Sequence, residues 1–166
     1  MPKLGYFFCR HTHTVAQALL GQVLVFGSYQ GIITETEAYR RQDDEASHAF
    51  RGMTPRASIM FGRPGMSDVY SIYGKYYCLN IVTGPEGEPG AVLIRSIRLI
   101  NSPNIPIIGP GRVCRTLGIT TAHNGLDLTT QDDFYVAWGQ SNGLFQATPR
   151  IGIRKAIDKP WRFTEA

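Results

Sequence analysis

Glu35 and Glu37 stand two apart in "IITETEAYR", residues 32–40. The Ile, Thr and Tyr around them favour a β-strand. On such a strand Ile33, Glu35, Glu37 and Tyr39 share one face, with the two carboxylates roughly 7 Å apart. They would repel each other mildly and add nothing to a core. A carboxylate beside an aromatic ring can activate a water as a general base, and Glu37 with Tyr39 and His48 is the sharpest such constellation here. Taken alone, Glu37 reads as an exposed strand carboxylate. A serine or cysteine nucleophile is not evident, because no GxSxG elbow occurs and no cysteine carries a signature.

Other groups have two readings each. "YSIYGKYY" carries Tyr70, Tyr73, Tyr76 and Tyr77. These are either ordinary cross-strand aromatic packing or, for Tyr73 at an exposed turn, a wedge between bases with Lys75 beside it for phosphate. "GPGRVCR" is either a capped turn or a phosphate cradle at a helix N-terminus with Arg112 or Arg115 nearby. It is not a Walker sequence. "CRHTH" offers Cys9, His11 and His13, which alternation could bring to one strand face. The spacing fits no zinc pattern, so we read a polar, partly disordered N-terminal segment and expect no metal.

The elements that must position these groups fit one domain spanning 1–166. Of 166 residues 43% are hydrophobic, 18% are charged, and Gly and Pro number 18 and 10. That balance suits one core rich in turns and strands. No apolar run is long enough for a transmembrane helix, no signal-peptide pattern occurs, and three scattered cysteines fit a reduced intracellular protein. The net charge is +4. Basic residues cluster at 51–63 and 150–162, and acids at 34–48. This pattern is either that of a mildly basic protein or a reactive site within a polyanion-binding face.

Along the chain, "TVAQALLG" (14–21) predicts a helix capped by Thr14 and stopped by Gly21. "QVLVF" and "GIITETEAY" predict a hairpin. Residues 41–68 form a long irregular stretch of the kind that is often functional. "DVYSIYGKYYCLNIV" (68–82) predicts a second hairpin with Gly74 and Lys75 at the centre of a type II′ turn. "GAVLIRSIRLI" and "DFYVAWG" read as strands, "GPGRVCRTLGI" as loop then short helix, and "PRIGIRKAIDKPWRF" as strand, loop and terminus. The expected fold is α+β: a curved, largely antiparallel sheet flanked by short helices, with a protruding hairpin.

"TETEAY", "DEASH", "TPR", "MFGRPG", "VYSIYGKYYCLN", "GAVLIR", "GPGRVCRTLGI" and "DKPWRF" occur in that order from about residue 6 to 163. Any one is weak; the ordered set resembles the alkyladenine (3-methyladenine) DNA glycosylase family. The resemblance implies a monofunctional enzyme of base excision repair. It would flip alkylated or deaminated purines (3-methyladenine, 7-methylguanine, hypoxanthine, ethenoadenine) out of duplex DNA and hydrolyse the N-glycosidic bond. It implies Glu37 as general base and Arg95, with the main-chain carbonyl of Ile151, as holders of the water. Tyr39, His48 and Tyr70 would contact the flipped base, Asn80 would test its edge, and Tyr73 would fill the gap in the duplex. Lys75, Arg56, Arg63 and Arg112 would contact DNA. No cofactor, metal or membrane is implied, and a monomer in the bacterial cytoplasm is expected. The competing readings are a non-catalytic binder of damaged DNA and a basic RNA-binding module.

Three structural expectations follow. "LINSPNIPII", residues 99–108, is shorter than the basic helical segment usual there in the family. A two-residue turn would put Tyr70 and Asn80 on opposite faces, so the hairpin needs a bulge or a different register to bring both to one pocket. Glu35 would raise the Glu37 pKa unless a cation compensates, so it should be held by such a cation, an arginine being one candidate.

Overall fold

The computed structural model describes residues 4–41, 43–85, 88–100 and 104–166. Among the described residues, two short α-helices, α1 (Thr12–Ala18) and α2 (Pro110–Leu117), accompany nine strands: β1 (Val23–Phe26), β2 (Tyr29–Arg40), β3 (Ser67–Ile72), β4 (Tyr76–Val82), β5 (Gly90–Leu99), β6 (Pro106–Ile108), β7 (Phe134–Ala137), β8 (Phe145–Thr148) and β9 (Arg162–Glu165). The strands join in one sheet of path β3-β4-β5-β2-β1-β7, with β6 on β5 and β9 bridging β2 to β8. Every pairing is antiparallel. The α+β expectation holds.

β2 organises the sheet. One edge pairs with β5 along most of its length. The other pairs first with β1, at Tyr29–Ile32, and then with β9, at Glu35–Glu37. The carboxylates therefore sit where β2 has neighbours on both sides. Under the sheet lies an apolar core that includes Phe8, Leu19, Leu24, Ile33, Leu79, Ile81, Ile94, Ile97, Phe134 and Phe163. Burying such side chains contributes about 1.5–3 kcal/mol each. α1 seals one part of it through Val15 and Ala16, α2 another through Val113, Cys114 and Leu117.

Alternation along β2 is broken where it matters. Thr34 has no partner between Ile33↔Ile97 and Glu35↔Ser96, and Arg95 has none between Glu35↔Ser96 and Thr36↔Ile94. An unpaired residue of this kind turns the strand and re-aims side chains. Ile33 consequently joins the core instead of sharing a face with the glutamates, which corrects the regular-strand expectation.

Other corrections are local. α1 starts at Thr12, and His11 rather than Thr14 caps it, accepting from the His13 amide at 3.4 Å. "CRHTH" is thus the end of a 3-10 turn at Cys9 followed by the helix start, not a strand or a disordered segment. The hairpin turn has three residues, not two. Ile72 pairs with Tyr76, leaving Tyr73, Gly74 and Lys75 in the loop. The stretch from 150 to 161 holds no strand; the chain pairs again at β9. Strands β6 and β8 were not anticipated. Of the shortened 99–108 segment, residues 101–103 lie outside the described residues, and 106–108 form β6 on β5.

Candidate active site

The β3–β4 register settles the hairpin question. Asp68 faces Asn80 and Tyr70 faces Cys78. Directly paired residues share a face, so Asp68, Tyr70, Cys78 and Asn80 lie together. The three-residue loop supplies the different register that the sequence called for. All four line a cavity of about 690 Å³, together with Tyr39, His48, Arg56, Leu93, Arg95, Pro110, Ile151, Arg154 and Lys155.

Glu37 has no exposed surface and lies behind this wall. Tyr39, Arg95 and Ile151, which do line the cavity, all reach it. The Tyr39 hydroxyl donates to Oε1 at 2.8 Å, and the Ile151 amide donates to Oε2 at 2.7 Å. Arg95 Nη1 stands 3.6 Å from Oε1. Two of about four lone-pair sites on the carboxylate are thus occupied, and the others remain for a further donor such as water. Burial raises the Glu37 pKa, while Arg95, the Ile151 amide and Tyr39 pull against that rise. A buried carboxylate beside a cation is the arrangement expected of a tuned base. Burial likewise pushes the Tyr39 phenol up, as do the charge and hydrogen bond of Glu37, so Tyr39 stays a donor.

Glu35 supports the site from behind. It is 6% exposed and accepts from Ser96 Oγ at 2.6 Å and from Arg162 Nε. Arg95 Nε lies 3.4 Å from its Oε2. Burial alone would raise its pKa; the Ser96 and Arg162 hydrogen bonds and the charges of Arg162 and Arg95 outweigh that and hold it low. Arg95, the residue left unpaired in β5, therefore bridges both glutamates. The expected cation at Glu35 is present twice over.

The aromatic wall is built from two segments. Tyr70 meets His48 edge-on at 4.8 Å between ring centres, and the Arg56 guanidinium lies 4.8 Å over the Tyr70 ring. Arg56 thus lines the cavity rather than standing clear of it. Burial lowers the His48 pKa, as does the charge of Arg56, which favours a neutral imidazole. Tyr39 carries the Arg150 guanidinium 4.6 Å from its ring centre.

Of the predicted DNA-contact residues, Tyr73 lines the rim of the cavity, while Lys75, Arg63 and Arg112 lie outside its lining. Tyr73 is 90% exposed with Lys75 beside it, both in the hairpin loop. Arg112 is exposed in the first turn of α2, next to Pro110, which lines the cavity. Arg63 is held by Asp127, away from the pocket lining.

Asp44, Arg150 and Arg162 were missed. Arg150 Nη1 and Nη2 donate to Asp44 Oδ2 and Oδ1, both at 2.7 Å, and Nη1 also donates to the Ala38 carbonyl at 3.0 Å. Asp44 in turn accepts from the Arg40 amide at 2.9 Å. This pair pins the irregular segment carrying His48 to the segment carrying Ile151. The opposite charges of residues 34–48 and 150–162 were the available signal. On sequence they fit either a mildly basic protein or a polyanion-binding face, whereas Arg150 and Arg162 turn inward onto Asp44 and Glu35. Among the described residues no group of three or more Asp, Glu, His or Cys side chains is arranged to hold a metal, and no helix is long and apolar enough to cross a membrane.

Comparison with known proteins places the chain in a family. Residues 6–166 match the family model described as methylpurine-DNA glycosylase. A protein of Ehrlichia ruminantium named "Putative 3-methyladenine DNA glycosylase" is 52% identical over 160 residues, covering 95% of this chain and 85% of that relative. One of the same name from Wolbachia sp. subsp. Brugia malayi (strain TRS) is 53% identical over 157 residues, with 95% and 93% covered. Another from Sodalis glossinidius is 52% identical over 157 residues, with 95% and 92% covered.

Proposed function

The chain belongs to the methylpurine-DNA glycosylase family and is a hydrolytic DNA N-glycosylase, and we propose that it releases alkylated or deaminated purines from duplex DNA by base flipping and a Glu37-activated water. The observation that carries the reading is Glu37: a buried carboxylate, bound by Tyr39 and the Ile151 amide, facing Arg95 behind the wall of an aromatic cavity.

Cleaving an N-glycosidic bond builds positive charge on the sugar, which a nearby carboxylate stabilises while it takes the proton of the attacking water. In this reading Arg95 orients that water against Glu37. The Ile151 carbonyl is a second holder; the Ile151 amide supports the base itself. Glu35 neutralises the far side of Arg95, which limits how far Arg95 lowers the basicity of Glu37. In this reading water is the nucleophile and no lyase step follows, because the group backed by Arg95, Tyr39 and the Ile151 amide at the cavity wall is the carboxylate of Glu37.

The extruded base would enter the cavity between Tyr39, Tyr70 and His48. An alkylated purine such as 3-methyladenine is cationic, and electron-rich rings favour a cation by about 0.5–2 kcal/mol each. Damaged pairs also unstack at lower cost. Asn80 tests the purine edge, Tyr73 fills the vacated stack, and Lys75, Arg56 and Arg112 meet the backbone. Arg63 has the weaker claim because Asp127 already pairs it. We read residues 1–166 as one glycosylase domain acting as a monomer in the bacterial cytoplasm.

The test is release of free 3-methyladenine or hypoxanthine from lesion-bearing duplex DNA, with undamaged duplex and RNA as competitors. The reading expects release and lesion preference. Tight lesion binding without any release would instead make the protein a damage binder.

A further inference from the structure

Asp68 is a buried pocket acid for which the mechanism above has no use. It is 6% exposed and lines the cavity beside Tyr70 and Asn80. Among the described residues no hydrogen bond or ion pair engages its carboxyl, and its main-chain carbonyl, not its side chain, accepts from Asn80 Nδ2 at 3.4 Å. Its carboxyl oxygens are not sealed in protein but open onto the cavity, so a ligand held there meets them directly.

Its place in the sheet says which part of a ligand that would be. The pairings Asp68↔Asn80, Asn80↔Leu93 and Leu93↔Glu37 run in one row across β3, β4, β5 and β2. Residues so paired share a face. Three interstrand steps separate Glu37 from Asp68, roughly 14 Å along the sheet. The glycosidic bond belongs at the Glu37 end. A base held across this row turns its far edge toward Asn80 and then Asp68.

We propose that Asp68 is a specificity-determining residue that reads the far edge of the extruded base, favouring cationic 6-amino purines such as 3-methyladenine over neutral 6-oxo purines such as hypoxanthine. This rests on the glycosylase reading and extends it. An ionised carboxylate only accepts hydrogen bonds. It pairs with the amino group and positive charge of 3-methyladenine, and it faces the 6-oxo oxygen of hypoxanthine acceptor to acceptor. Burial lifts the Asp68 pKa to about 6, with the Arg56 charge pulling it down, so the carboxylate form still predominates at neutral pH. A base gives up its positive charge as the bond breaks, so the contact acts mainly in capture of the base rather than in bond cleavage.

The experiment is competitive release of 3-methyladenine and hypoxanthine from mixed lesion duplexes at neutral pH, by wild type, Asp68→Asn and Asp68→Ser. The asparagine amide both donates and accepts, so it tolerates either edge. The expected result is a shift of relative kcat/KM by about tenfold toward hypoxanthine, in the same direction for both variants and carried by half-saturation rather than by the maximal single-turnover rate. A ratio that stays within about twofold of wild type, or a parallel loss of both lesions in folded variants, overturns the role of Asp68. Wild type releasing neither base would instead overturn the glycosylase reading on which it rests.

Discussion

Arg150 and Asp44 form a two-armed ion pair whose side chains have no exposed surface, both contacts at 2.7 Å. It locks the segment bearing His48 to the segment bearing Ile151, and the same guanidinium lies 4.6 Å from the Tyr39 ring centre and 5.1 Å from that of Trp161. Removing one partner of such a pair strands the other charge. Asp44→Ala is expected to destabilise the fold by about 3–5 kcal/mol. Urea unfolding measures it, and an unchanged midpoint would show that the pair holds nothing together.

Glu37→Gln separates chemistry from folding. The variant should lose at least about 10²-fold in single-turnover release while binding lesion duplex as wild type does. The sign of its stability change is fixed by linkage. The folded-state pKa of Glu37 is raised by burial, so the native protein holds this proton more tightly than the unfolded chain. Below the unfolded pKa both states are protonated and nothing is lost. As pH rises through the raised folded pKa, wild type loses stability. At neutral pH Glu37→Gln should therefore be at least as stable as wild type. A lower melting temperature with full activity would contradict both halves.

The pH profile follows from the same shift. The base must be ionised, so single-turnover release should fall on the acid side at a pH above the ordinary glutamate pKa. Glu35 runs the other way. Its folded pKa is depressed by Ser96 and the arginines despite its burial, so its stabilising contribution is present above the unfolded pKa and is lost as pH falls through the folded value. Between the two values acid should silence release before it unfolds the protein. Activity and circular dichroism followed across the same pH series check this, and coincident transitions would refute it.

How far the sequence reached depends on the kind of geometry involved. The pairing of Glu37 with Tyr39 is a matter of strand period, and it survives: the two share a hydrogen bond at 2.8 Å. The union of Tyr70 with Asn80 could be inferred because a regular turn was incompatible with it, and a three-residue loop resolves the conflict. Arg95 was named, but its reach to both glutamates comes from its unpaired position in β5, which local propensity does not encode. Asp44, Arg150 and Arg162 depend on contacts across more than 100 residues, Arg150 with Asp44 and Arg162 with Glu35. Only the opposite charge of the two segments foreshadowed them. β6 and β8 are short edge partners whose pairing, not their composition, makes them strands.

Tyr73 offers the cleanest separation of fold from function. Its φ is +54° and that of Gly74 is +66°, so both occupy the left-handed region, which a bulky residue enters only at a cost. The side chain is 90% exposed and stabilises no core. Glycine would suit this backbone better. Tyr73→Gly should therefore leave the melting temperature unchanged or slightly raised, yet weaken capture of lesion duplex. Tyr73→Ala keeps the strain and loses the ring, so it should weaken capture equally without the gain in stability. Capture is read as half-saturation in single-turnover release, with the maximal rate affected less, because the ring acts in the duplex and not at the glycosidic bond. If both variants bind lesion duplex as tightly as wild type, the exposed ring at the hairpin tip is not the group that fills the vacated stack.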